Sequence, residues 1–195
     1  MTTPHGKRIC TGRWIRPERL AGSPEWTTGL RRHLPAVWVT AGLLAVCLLL
    51  PAAGFPALYV AAVAAGAFYR DNEPLELLRL PEMGASRLLV RKVLTAWRNY
   101  LLLAAPFVLL AIVAHPRTAW LAAAWAPLSA LALLYAVVSK YARYEPGSHP
   151  RRPLAARLGE AGFLLPVLLP LSLCLVVSYA LRAERNLNRY LHDYD

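Results

Sequence analysis

The chain has 195 residues, 57% of them hydrophobic and only 17% charged, against roughly 45–50% and ~25% in soluble domains. A soluble domain of this length could not hide so much apolar side chain, because a large share of its surface must face water. The net charge of +11 does not point to nucleic acid either, since the basic residues stand in short blocks beside apolar runs, as in cytoplasmic membrane loops. Lipid is the solvent that fits. The cysteines Cys10, Cys47 and Cys174 are scattered, which supports neither a metal site nor a disulfide framework.

Residues 1–33 form a basic leader without the pattern of a cleavable signal, and it is expected to stay attached. Within it, Ser23-Pro24-Glu25-Trp26 reads as a helix start. Ser23 can cap, Pro24 suits the first position and Glu25 meets the positive end of the dipole. A short amphipathic helix to Arg32, with Trp26 and Leu30 on one side, would lie flat on the bilayer near anionic headgroups. A disordered basic leader is the other reading of these residues.

Five apolar runs follow. Leu34–Leu50 and Ala52–Tyr69 are joined by the turn Pro51-Ala-Ala-Gly-Phe-Pro56 and read as a tight hairpin. Tyr100–Ala114 and Trp120–Ser139 are joined by His115-Pro-Arg-Thr118, and Ala161–Leu181 is the fifth. The runs are continuous rather than alternating, which excludes β-barrel strands. Ala and Leu favour helix, and Pro106, Pro127, Pro166 and Pro170 are tolerable as kinks in membrane helices. The expected fold is all-α: a polytopic transmembrane helical bundle of about five spans with an N-terminal interfacial helix. The bundle occupies 34–181, with loops 70–98 and 140–160, and 182–195 is a polar tail.

Lys and Arg number seven in the leader, none and one (Arg117) in the two turns, six in loop 70–98 and five in loop 140–160. This alternation puts the leader and both loops in the cytoplasm and the protein in the cytoplasmic (inner) membrane. Trp38, Trp97 and Trp120 fit interfacial anchoring. A fifth full crossing, the preferred reading, carries Arg182, Arg185 and Arg189 outside, where Glu184, Asp193 and Asp195 balance them. A re-entrant fifth run is the alternative.

The connector DNEPLELLRLPEMGASRLLVRK, residues 71–92, is rich in structure signals. Asn72 or Glu73 can cap a helix with Pro74 in its first turn, Leu75 and Leu78 sharing a face. Pro81 ends it, and Gly84 and Ser86 allow a turn and a new cap. The product is a short helix beneath the bilayer tied at both ends to spans, able to act as a lever. Loop 140–160, with Tyr141, Tyr144, Glu145-Pro-Gly147 and Arg151-Arg152, would face the same side as a second docking surface or a plain connector.

Leu75-Glu76-Leu77-Leu78-Arg79-Leu80-Pro81, with Ser86, Leu88-Leu89 and Lys92, resembles the first cytoplasmic loop of ABC exporter permeases of the drug, polysaccharide and lipid efflux type. There a pattern similar to T-L-E-x-L-x-x-x-P-x-S-x-x-x-L-x-x-K forms a coupling helix that docks on the ATPase, and an elbow helix precedes the first span. The resemblance covers the layout of residues 23–140 and is specific over about twenty of them. It departs from the pattern at Pro74, between Pro81 and Ser86, and in showing five spans rather than six, so the likeness is to a divergent or truncated member. It implies an exporter subunit coupled through 72–92 to a separate ATP-binding subunit, with Leu75, Glu76, Leu78, Arg79, Pro81 and Ser86 at the contact. A homodimer or second membrane subunit would complete it.

The chain has no GxxxxGK[ST], HExxH or GxSxG, so ATP energy must come from a partner. Its five histidines fall in the leader, turns or tail. No charged residue lies in the core of a run, as a proton-coupled carrier would need. No enzyme activity and no cofactor are expected. The alternative function is that of a structural or assembly membrane protein without transport.

Overall fold

A computed structural model describes residues 24–50, 53–146 and 153–191, and among these every regular element is helical. The Ser23 cap, the leader before it, Gly147, Arg151-Arg152 and the end of the tail with Asp193 and Asp195 lie outside the described residues.

The chain turns helical at Pro24, and α1 (Pro24–Arg32) carries Glu25 in its first turn and Arg31 and Arg32 in its last, matching the helix dipole at both ends. Trp26 and Leu30 are both buried, as their i, i+4 spacing requires of one face. Helix α2 (Leu34–Cys47) follows directly, then α3 (Gly54–Ala65), which tightens into a 3-10 turn over Gly66–Tyr69. Both are apolar but short, α2 rising only ~21 Å.

After a five-residue helix α4 (Leu75–Arg79) come α5 (Ala85–Ala114, 30 residues) and α6 (Leu121–Tyr141, 21 residues). These two are long and apolar enough to cross a membrane. Helix α5 begins well before the apolar run at Tyr100, because residues 85–99 are mostly good helix formers. Half of the expected loop 70–98 is therefore the stalk of a membrane-length helix. Pro106 and Pro127 sit inside α5 and α6 without ending them. Trp38 and Trp120 are exposed, whereas Trp97 packs on Tyr100 and Trp125, with ring centroids 6.0 and 6.1 Å away.

The fifth apolar run does not form one span. It is divided between α7 (Leu154–Gly162), a 3-10 turn at Pro166–Leu168, and α8 (Leu169–Leu191). Pro166 and Pro170 offer no amide hydrogen and disfavour helical backbone in the residue before each. The nine residues of α7 rise ~14 Å, less than half of a ~30 Å hydrocarbon core. Helix α8 then turns back along α7. The two approach closely because Gly159 and Gly162 have no room for a Cβ, the Ser172 hydroxyl and the Leu168 carbonyl lying against Gly162. Ser172 Oγ donates to the Gly159 carbonyl at 2.9 Å.

The far end of α8 lies at the same end of the bundle as α4. Asn186 Nδ2 donates to the carbonyls of Tyr141 (3.1 Å) and Tyr144 (2.9 Å). The Tyr190 carbonyl accepts from Arg79 Nε and Nη2 at 3.2 and 3.1 Å. A tail emerging at the opposite end, as a crossing from Ala161 to Leu181 would require, is thus corrected to a hairpin. Its tip exposes Leu164, Leu165 and Val167, the last at 89%.

This arrangement is testable by labelling. In a chain freed of its own cysteines, Cys introduced at Glu76 or Asn188 should react alike with an impermeant thiol reagent, and oppositely to one at Arg117. Reactivity at residue 188 that follows residue 117 would overturn the hairpin.

Candidate functional site

The 70–84 corner is organised by a carboxylate turned inward. Pro74 itself occupies the N-cap of α4 in an extended conformation, and no side chain caps the helix. The expected capping by Asn72 or Glu73 is corrected: Asn72 Nδ2 donates to the Glu145 carbonyl at 3.0 Å, and Glu73 points into the bundle. There Glu73 accepts from Lys92 Nζ (2.7 Å), Lys140 Nζ (2.8 Å) and Tyr141 Oη (2.8 Å), while its carbonyl accepts from Tyr144 Oη (2.7 Å).

Glu25 of α1 completes the cluster, 3.0 Å from Lys92 and 3.3 Å from Lys140. Two carboxylates and two ammonium groups from α1, the corner, α5 and α6 thus form a neutral buried tetrad. The Lys140 side chain is 1% exposed. Its ammonium also lies 5.2 Å from the centroid of the Tyr141 ring. Beside it Trp26 Nε1 donates to Tyr69 Oη at 2.8 Å, seating α1 on the end of α3.

Burial alone opposes ionisation of Glu25, but the neighbouring charges of Lys140 and Lys92 help to outweigh it. Together they hold the carboxyl well below its usual range. Burial first, and the Glu73 charge second, push the Tyr144 phenol up to about 12.

The expected contact residues divide between the two faces of this corner. Leu78 is 1% exposed and belongs to the chain's own core, with Leu75 half-buried against it. A partner contact through Leu78 is therefore corrected: its face is already occupied. Arg79 is bound to Tyr190 of α8 rather than standing at a rim. Glu76 is exposed, Pro81 half-buried, and Ser86 exposed in the first turn of α5. The outward apolar pair is Leu77 (44% exposed) and Leu80 (71%). The turn after α4 is made by Glu82, at φ 47°, and not by Gly84, which is extended and precedes α5. A left-handed non-glycine residue costs about 1 kcal/mol, so the corner holds a conformation that its surroundings impose.

The tetrad has no spacing signature, because its bonded members lie 19 to 115 residues apart. Neither glutamate stood out in the sequence, since Glu18 shares the leader with Glu25, and Asp71, Glu76 and Glu82 lie close to Glu73. Mechanically, the arrangement ties α1, α5, α6 and α8 to one five-residue helix.

Comparison with protein-family models, with curated proteins and with solved structures finds no match.

Glu73→Gln should lower unfolding stability in detergent by about 3–5 kcal/mol, since it leaves Lys92 and Lys140 sharing the single charge of Glu25. Adding Lys140→Met should recover part of that loss. An unchanged melting temperature for Glu73→Gln would show the tetrad to be incidental.

A carboxyl held low in the folded chain contributes stability that is complete above its unfolded value, about 4.3. That contribution is lost as pH falls through the folded value. The melting temperature should therefore fall as pH drops below about 4.3, and Glu25→Gln should flatten that slope.

Proposed function

We propose that the chain is a membrane-spanning subunit of an ATP-driven exporter, taking the stroke of a separate ATPase through the 72–92 segment. The observation that carries this reading is the two-faced corner. Its inner side is locked to four helices by Glu73, Leu78 and Arg79, while Glu76, Leu77 and Leu80 face outward. A push on the outer face is transmitted without slack, because the inner face has no room to yield. The likeness of residues 75–92 to exporter coupling loops agrees with this. In this reading Lys92, the last residue of that pattern, anchors the corner from α5.

The α7–α8 hairpin also removes an inconsistency in the charge pattern. With the first four apolar runs crossing and the hairpin re-entering from the cytoplasm, Arg182, Arg185 and Arg189 join the other basic blocks inside. The apolar hairpin tip then stays in hydrocarbon. The leader and tail share the cytoplasmic side of the inner membrane. Four crossings and a hairpin are too few to enclose a pathway, so a second copy or another membrane subunit is required.

The same count favours the second reading, a structural or assembly membrane protein without transport. Co-purification in mild detergent and moderate salt separates the two. The wild-type chain should bring down a nucleotide-binding subunit, and Leu80→Asp should lose it by more than tenfold. Desolvating an unpaired charge at a contact costs well over the ~1.4 kcal/mol that tenfold represents. Leu78→Asp should instead destabilise the chain itself. A wild-type chain that recovers no nucleotide-binding subunit would leave the assembly reading standing.

A further inference from the structure

Between α2 and the α3–α5 pair lies a crevice of about 390 Å³, within the roughly 300–1,000 Å³ of ligand pockets. It exists because α2 leans on the bundle only at its far end. Along Leu34–Cys47 only Leu44 is buried, and the facing positions Ala41, Ala61 and Ala64 are too small to close the gap. From His33 to Leu44 the crevice runs ~16 Å at the helical rise, about half of a ~30 Å hydrocarbon core. That is the depth of one leaflet. Its walls are mostly apolar, including Leu58 and Phe107, and the hydroxyls of Thr40 and Tyr100 along them are spent on the carbonyls of Ala36 and Leu58.

The mouth is basic. His33 is exposed, and its ring lies nearly parallel to that of Phe68, with centroids 6.5 Å apart. Arg70 is exposed too and reaches Glu160 only at 3.5 Å, a surface pair weak enough to exchange for a better anion. Arg31, in the turn of α1 just before His33, adds positive potential at the same level, while its neighbour Arg32 pairs with Asp71 at 2.6 Å on the exposed surface.

We infer that this crevice binds one anionic phospholipid of the leaflet on the α1 side, an acyl chain filling the gap and the headgroup phosphate lying at His33 and Arg70. An empty gap of this size would forfeit the dispersion contacts of its whole lining. One acyl chain has the length and the apolarity that the walls require, and the headgroup phosphate has the negative charge that the mouth requires. The site needs only that the chain resides in a bilayer, and it stands whether or not the protein is part of an exporter.

The experiment reconstitutes the full chain in vesicles of phosphatidylcholine and phosphatidylglycerol, re-extracts it in mild detergent and counts retained lipids by native mass spectrometry. Wild type should retain one phosphatidylglycerol. Ala64→Phe, at an exposed position on the crevice wall, should abolish retention of either lipid while leaving helix content unchanged. Arg70→Gln should reduce the preference for phosphatidylglycerol over phosphatidylcholine about fivefold without removing lipid altogether. Equal retention by wild type and Ala64→Phe would overturn the inference. So would wild-type retention abolished by free inorganic phosphate, which would assign the mouth to a soluble anion. A wild-type dimer without lipid that Ala64→Phe converts to monomer would give the crevice to a second copy instead, with the same consequence.

Discussion

Two lysines and two glutamates share one buried volume, and the end of the bundle that carries α1 and α4 depends on their mutual neutralisation. Lys140 lies among Tyr69, Tyr141 and the ends of α3 and α6, where Glu73 at 2.8 Å and Glu25 at 3.3 Å are its ion partners. Glu73 in turn cannot reach Lys140 and Lys92 together unless the backbone enters α4 through an extended Pro74. Each member comes from a different element, so the tetrad determines where α1, the corner, α5 and α6 sit relative to one another. A hydrophobic cluster of the same volume could be more stable, but it would tolerate sliding. A set of directed ion pairs has one register.

From that register the rest of the architecture follows. With the corner held, Leu78 drops into the core and Arg79 meets the last turn of α8. The α7–α8 hairpin therefore closes on the same end of the bundle at which it started. The glycines of α7 make that closure dense, and the prolines at its tip make it turn. Held from behind by α8 and from the sides by the tetrad, α4 presents Leu77 and Leu80 outward with little freedom to retreat.

The other end of α1 is packed more loosely, and the contrast is informative. Trp26 and Leu30 seat α1 on the end of α3, but α2 stands away from α3 and α5 until Leu44 and Leu48. Alanine in place of larger side chains leaves the gap, and basic residues gather only at its mouth. Tight packing at the charged corner and open packing along α2 thus divide the molecule into a densely packed end and a loosely packed flank.

Much of this was legible in the residues themselves, for local physical reasons. Ala and Leu choose helix over strand at each residue independently, and two of the apolar runs lie in helices long and apolar enough to cross a membrane. The short helix at 75–79 was likewise predictable from Pro74, Pro81 and the leucines between them. Three things were not. The faces of α4 exchanged roles, since periodicity says that Leu75 and Leu78 share a side but not whether that side meets the chain or a partner. The fifth run had the length of a span, yet two prolines and a pair of close-packing glycines folded it back, a choice made only when α8 found Tyr141, Tyr144 and Arg79 to bind. The tetrad required charges 115 residues apart in the chain to meet, and no linear pattern encodes that distance. Sequence alone determined that the chain is helical and where its apolar runs lie, because those are properties of single residues and their near neighbours. Only tertiary structure decided which face looks inward, where the chain turns back and which charges neutralise each other, because burial depends on what else arrives.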